Sequence, residues 1–189
     1  MESFESVVAL ALEAEGFIVS GAVKFPVTRR TAKAVHEEVQ THGYEVDLIA
    51  VRADLLVLAT VKSFFGSRGV AAEDVAGDGR YSTHYKLLND PVIREGVITA
   101  AADRYGYPED RLRLRLYAGR FAGPVKGTHD ARIRDLPGFE VFGPEEIASK
   151  LLAVGASKQY RDNPALAAVK LLEAAGRLQG ERPPTGDDV

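Results

Sequence analysis

The stretch VDLIAVRADLLVLATVKSF, residues 46–64, carries a carboxylate and an amine inside two apolar runs. Asp47 lies in the first run and Lys62 near the end of the second. A charge buried alone is costly, so such residues must be paired, hydrogen-bonded or bound to a metal ion. Strand side chains alternate between the faces of a sheet. Glu45 and Asp47 therefore share one face of the first strand, and Thr60 and Lys62 share one face of the second. Opposite charges on neighbouring central strands are a candidate site. The bland alternatives are an Asp47 that caps a turn and a Lys62 that reaches solvent along its apolar stem.

Residues 44–51 and 55–64 read as strands joined by the tight connection Arg52-Ala53-Asp54, and hence as an antiparallel hairpin. Each is apolar on both faces, the pattern of strands covered from both sides in an α/β sheet. Upstream, ESVVALALEAEGF places Phe4, Val7, Val8, Ala11 and Leu12 at helical spacing, with Gly16 as a stop. FIVSGAVKFPV is extended, with Pro26 marking an edge or a bend. RRTAKAVHEEVQTHG reads as a helix between Thr31 and Gly43, with an extended excursion as the alternative.

Downstream, GSRGVAAEDVAGDGRYS is glycine-rich and reads as irregular. DPVIREGVITAAADRYG is a helix with Asp90 as N-cap, Pro91 at the first helical position and Gly106 after its end. RLRLRLYAGRF alternates as a strand and FEVF is a short final strand. GPEEIASKLLAVG and NPALAAVKLLEAAGRL are two further helices. The order predicts an α/β fold with a central mixed sheet flanked by helices. It divides into a core over residues 1–143, a helical extension packed on it over 144–179, and a mobile tail over 180–189.

YEVDLIAV followed by LATVKSF resembles the core of the PD-(D/E)xK nucleases, the restriction-endonuclease-like superfamily that includes Holliday-junction resolvases and Mrr-type endonucleases. That pattern sets an aspartate on one strand and a carboxylate-x-lysine on the next, matched here by Asp47 and Lys62. The resemblance covers residues 1–64 and implies a restriction-endonuclease-like fold and a Mg²⁺- or Mn²⁺-dependent endonuclease acting on DNA. Asp47 would hold the metal together with the carbonyl of Val61. Lys62 would orient or activate the attacking water and stabilise the developing charge. Glu5 sits on the first helix, where many members carry a glutamate, and would hold the metal directly or through water. Glu45 is the other nearby carboxylate. Thr60 departs from the pattern, because the family has Glu or Asp there and a neutral hydroxyl is a weaker ligand for a hard cation. The alternative is a degenerate, non-cleaving nuclease-fold module that binds DNA, RNA or a protein partner.

Arg111, Arg113 and Arg115 alternate with leucines and would line one strand face, either solvated or against phosphates. Arg29, Arg30 and Lys33 form a second basic cluster, and Arg120, Lys126, Arg132 and Arg134 a third. Arg68, Arg80 and Lys86 flank the glycine-rich segment after Lys62. From these, Arg29, Arg30, Arg68, Arg80, Lys86 and the three alternating arginines are the candidate nucleic-acid contacts. His36, His42, His84 and His129 form no metal-binding pair, and the chain has neither a phosphate-binding glycine loop nor a GxSxG serine.

With 24 basic and 27 acidic residues the net charge is −3, so nucleic-acid binding would rest on a local basic surface. The absence of cysteine excludes disulfides and thiolate chemistry. No apolar run reaches the length of a transmembrane helix, so no membrane association is expected. The first segment carries Glu2, Glu5 and Glu13 and no basic residue, the wrong charge for a secretory signal. A cytoplasmic location is the expectation. In the last helix, Ala165, Leu166, Val169, Leu172 and Leu178 form an apolar side that either packs on the core or joins two copies in a homodimer.

Overall fold

In the computed structural model, which describes residues 2–32, 37–123, 128–158 and 162–177, the chain opens with α1 (Ser3–Ala14) and the strands β1 (Ile18–Ala32), β2 (Glu37–Arg52) and β3 (Leu55–Lys62). Two short helices follow, α2 (Ala72–Ala76) and α3 (Lys86–Asn89), then α4 (Pro91–Tyr105), β4 (Leu112–Ala118) and α5 (Thr128–Arg134). The described chain closes with β5 (Glu140–Phe142), α6 (Pro144–Ala156) and α7 (Pro164–Ala174). The five strands stand in the order β1-β2-β3-β4-β5. The first two pairings are antiparallel and the last two parallel. This is the mixed sheet that the order of elements predicts.

Helices cover both faces, as the doubly apolar strands require. On one face Leu56, Leu58, Leu114 and Leu116 pack with Ile93, Val97 and Ala101 of α4 and with Val75, Leu87 and Ile133 of the shorter helices. On the other, Val57, Ala59 and Tyr117 pack with Phe4, Val8 and Leu12 of α1 and Ile147 of α6. Phe4, Val8 and Leu12 are four residues apart, so one stripe of α1 faces the sheet. The α4 boundaries follow the sequence reading. The Asp90 carboxylate accepts the N–H groups of Val92 at 3.1 Å and Ile93 at 3.2 Å, Pro91 opens the helix, and Gly106 ends it at φ 74°.

The helix expected between Thr31 and Gly43 does not form. The extended alternative holds, and residues 33–36 lie outside the described residues. β1 and β2 make a long ribbon whose register runs from Ile18↔Val51 to Ala32↔Glu37. The reason is visible in β1. Phe25 and Val27 are buried, whereas Lys24, Pro26, Thr28 and Arg30 are exposed, a period of two. Phe25 and Val27 join the α4 side of the core, and Arg29 donates to Asp90 at 2.9 Å, tying the ribbon to the start of α4. Pro26 sits on the outermost strand, where a proline is tolerated.

The glycine-rich segment after Lys62 is likewise more ordered than its composition suggests. The buried Asp74 of α2 accepts the N–H of Tyr81 at 2.9 Å, and Asn89 donates to the carbonyls of Asp74 and Ser82 at 3.2 and 3.0 Å. Gly79 is required by close approach, since a Cβ there would lie 2.1 Å from Asp74 Oδ1. The sequence reading has no counterpart of α5, whose fully buried Ile133 is a single anchor rather than a periodic stripe. α6 and α7 pack against α1. The tail expected over 180–189 lies outside the described residues. Among the described residues no helix is long and apolar enough to cross a membrane.

Candidate functional site

Asp47 and Lys62 meet where the sheet forks. β2 and β3 pair from Arg52↔Leu55 to Leu48↔Ala59, and the ladder stops one residue short of Asp47 and Thr60. From there β3 continues beside β4 as far as Lys62↔Ala118, while β2 continues beside β1. A backbone N–H left facing such a gap needs a partner. Asp47 provides it, as its Oδ2 accepts the Val61 N–H at 2.7 Å. The Lys62 ammonium stands 3.6 Å from the same oxygen. The Asp47 and Lys62 side chains are 24% and 21% exposed, so the pair is mostly enclosed but still reaches solvent.

The backbone around the pair is strained. Val46 and Ile49 contribute to the same core although strict alternation would send them to opposite faces, so β2 twists at Asp47. Among the described residues only Ala22 and Phe64 combine a side chain with positive φ, at 46° and 45°. Ala22 lies opposite Asp47 in the β1–β2 register, between the pairs Gly21↔Leu48 and Val23↔Val46. Phe64 follows Lys62 by two residues. This conformation costs about 1–2 kcal/mol per residue, and such strain gathers at functional sites. Ala22→Gly is expected to raise the unfolding free energy by about 1 kcal/mol in denaturant titration. A variant no more stable than wild type would remove the strain argument at that position.

Tyr44 borders the pair from β2. Its hydroxyl accepts the Leu87 N–H at 3.1 Å, docking α3 beside the fork. Burial pushes the phenol above its ordinary value. The Leu87 bond opposes that shift, and the charges of Asp47 and Asp90 reinforce it. Thr60 is buried and pairs with Leu116 of β4.

The other residues named for metal chemistry are engaged elsewhere. Glu5 accepts the Glu2 N–H at 2.8 Å, closing the first turn of α1. Glu45 is exposed on the ribbon, 3.7 Å from Lys24. Val61 meets Asp47 through its N–H rather than through the carbonyl that the resemblance makes a ligand. Among the described residues no three His, Asp or Glu side chains gather closely enough to hold a metal ion. A hard divalent cation needs several oxygen ligands with net negative charge. At the fork one carboxylate is balanced by one ammonium, and its Oδ2 already faces two donors. The donor set does not fit a resident Mg²⁺ or Mn²⁺.

The candidate basic contacts separate into those near the fork and those far from it. Arg68 lies in the loop after Lys62, exposed and ion-paired with Glu73 and, at 3.8 Å, with Asp74. Exposed Arg80 stacks on the Tyr81 ring at 5.5 Å, and Lys86 opens α3. Arg29 and Arg30 stand on the ribbon opposite Gln40 and Val39, about 24 Å along β2 from Asp47 at the usual rise per residue. The expected stripe of three arginines does not exist as a solvent-facing strand surface, because β4 begins only at Leu112, after Arg111. Arg111 and Arg113 are exposed, but Arg115 is buried. Arg113 is five residues before the partner of Lys62, which puts it at the opposite end of the sheet. Arg115 bridges Glu140 at 2.7 Å and Glu15 at 3.1 Å, and Lys150 holds the other Glu15 oxygen at 2.7 Å. Lys33 and Lys126 lie outside the described residues.

Sequence reasoning missed Ala22, Tyr44 and Phe64 as neighbours of the pair. Backbone strain leaves no mark in residue type, and Tyr44 reads as a core aromatic. No protein-family model matches the chain, and no curated protein matches it.

Proposed function

We propose that the chain is a nucleic-acid-binding module built on the plan of the PD-(D/E)xK nucleases, which grips a backbone phosphate through Lys62 and does not cut it. The carrying observation is the shared Asp47 oxygen, bonded to Val61 N–H at 2.7 Å and facing Lys62 at 3.6 Å, with buried Thr60 where a second carboxylate would stand. A lysine ammonium has three N–H donors. One faces Asp47, which leaves the others for a phosphate oxygen arriving from solvent. The Val61 bond fixes Asp47, and its charge draws the ammonium toward it, which limits the side-chain freedom lost on binding. Arg68, Arg80 and Lys86, in the segment that follows Lys62, are the cations that would extend this contact along a strand. DNA is the first candidate ligand and RNA the second.

Cleavage would require a cation cage for which the fork has a single, already engaged carboxylate. Incubation with supercoiled, linear and branched DNA in Mg²⁺ or Mn²⁺ is therefore expected to leave the DNA intact while binding is retained. Cleavage by wild type that disappears in Asp47→Ala would overturn this reading in favour of the hydrolytic one.

A further inference from the structure

Phe65 is 62% exposed, although it sits in a well-packed corner of the fold. Its ring meets the buried Phe4 ring nearly at right angles, 82° between planes and 5.0 Å between centroids. It also presses on Gly119 so closely that a Cβ there would lie 2.9 Å from ring atoms Cε1 and Cζ. The ring is thus held from two sides and open over most of its surface. The same Gly119 donates its N–H to the Lys62 carbonyl at 2.8 Å, which places the ring beside the end of β3. The positive φ of Phe64 produces the arrangement, since Phe64 packs against the core while its neighbour is turned outward. The two loops that leave the carboxyl ends of β3 and β4 are laced together. Val70 N–H donates to the Arg120 carbonyl at 2.9 Å and Ala122 N–H to the Val70 carbonyl at 2.8 Å. Those loops carry Phe65, Arg68 and Arg120 exposed to solvent.

An immobilised aromatic ring flanked by cations is the chemistry that binds unpaired bases, whose faces stack on the ring while the phosphates meet the cations. In a duplex the base faces are already stacked on one another and offer none to Phe65. We infer that Phe65 is a stacking platform for an unpaired base next to the phosphate held by Lys62, so that the ligand is a single-stranded nucleic-acid segment. This inference rests on the phosphate-binding reading of Lys62.

The test compares three fluorescein-labelled probes by anisotropy: oligothymidylate, its duplex with oligodeoxyadenylate, and an abasic strand with the same number of phosphates. Wild type is expected to bind the intact single strand roughly 10–100-fold more tightly than the abasic strand. Phe65→Leu is expected to lose about the same factor on the intact strand and almost nothing on the abasic one, whereas Phe65→Trp retains the affinity. Because leucine and tryptophan are both apolar, the contrast between them separates stacking from folding. Equal binding of intact and abasic strands, with Phe65→Leu indifferent, overturns the platform and leaves the phosphate site standing. A preference for the duplex does the same. A dimer in light scattering that Phe65→Leu dissociates, with strand binding unchanged, replaces the base with a second copy of the chain. Failure to bind any of the three probes overturns both readings.

Discussion

Replacing Arg115 with alanine is expected to lower the unfolding free energy by about 3 kcal/mol, the low end of the cost of breaking a buried ion pair. The guanidinium is 8% exposed and binds Glu140 at 2.7 Å, Glu15 at 3.1 Å and the Tyr117 hydroxyl at 3.3 Å. It also stands 4.8 Å over the Phe142 ring. Burial works against its charge, but Tyr117 and the two carboxylates outweigh burial and hold its pKa above the ordinary value. Burial of Tyr117 in turn pushes that phenol up to about 12. Alanine would strand a buried phenol and two carboxylates, of which Glu15 keeps Lys150 and Glu140 keeps water, and that places the loss at the low end. For a chain of this size the midpoint of thermal unfolding should fall by roughly 6–12 °C. Arg113→Ala, two residues earlier on the same strand, is expected to stay within about 0.5 kcal/mol of wild type. Equal stability of the two variants would show that the network contributes nothing net. Arg115→Lys should recover only part of the loss, because an ammonium cannot span both carboxylates as the planar fork does.

Lys62→Ala is expected to weaken nucleic-acid binding by roughly 10–100-fold, the range for a hydrogen bond to a charged partner. Lys62 is the cation at the fork, and its stem packs at the end of a central strand, so truncation removes the donor without emptying the core. Arg111→Ala and Arg113→Ala are the controls. Arg113 lies at the far end of β4, about 17 Å from the partner of Lys62 by strand rise, Arg111 stands two residues further off, just before the strand, and both variants should change affinity by no more than about 2-fold. If these two variants weaken binding as much as Lys62→Ala does, the contact surface is elsewhere on the sheet.

The parts of the fold that were legible in the sequence are those whose signals are local. The β2–β3 hairpin announced itself by two doubly apolar runs and a polar turn. α4 was bounded by Asp90, Pro91 and Gly106, each with its own backbone reason. Hairpin geometry put Asp47 and Lys62 at the same end of the sheet, but their meeting depends on the parting of β2 from β3 beyond Leu48↔Ala59, which no residue type announces. The β1–β2 ribbon was not legible as a strand pair, because its polar outer half reads as a capped helix until Phe25 and Val27 have α4 to pack against. The face of β4 misled in another way. Perfect alternation places Arg113 and Arg115 correctly on one side, but it cannot reveal that Glu15 and Glu140 enclose the second of them. Glu5 was placed on the right helix, yet its bond to the Glu2 N–H is made by the local first turn. Thr60 was the one departure visible from the start, and it turned out to be buried between strands at the fork.

The central claim is that Lys62 holds phosphate without a metal ion, and a single titration tests it most directly. Labelled single-stranded DNA would be titrated at several salt concentrations, once in EDTA and once in Mg²⁺, with wild type and Lys62→Ala. The expected result is binding in EDTA at least as tight as in Mg²⁺, falling steeply with salt. The log–log salt slope should become shallower by about 1 in Lys62→Ala. Binding that appears only with Mg²⁺, or a slope that Lys62→Ala leaves unchanged, would contradict the account.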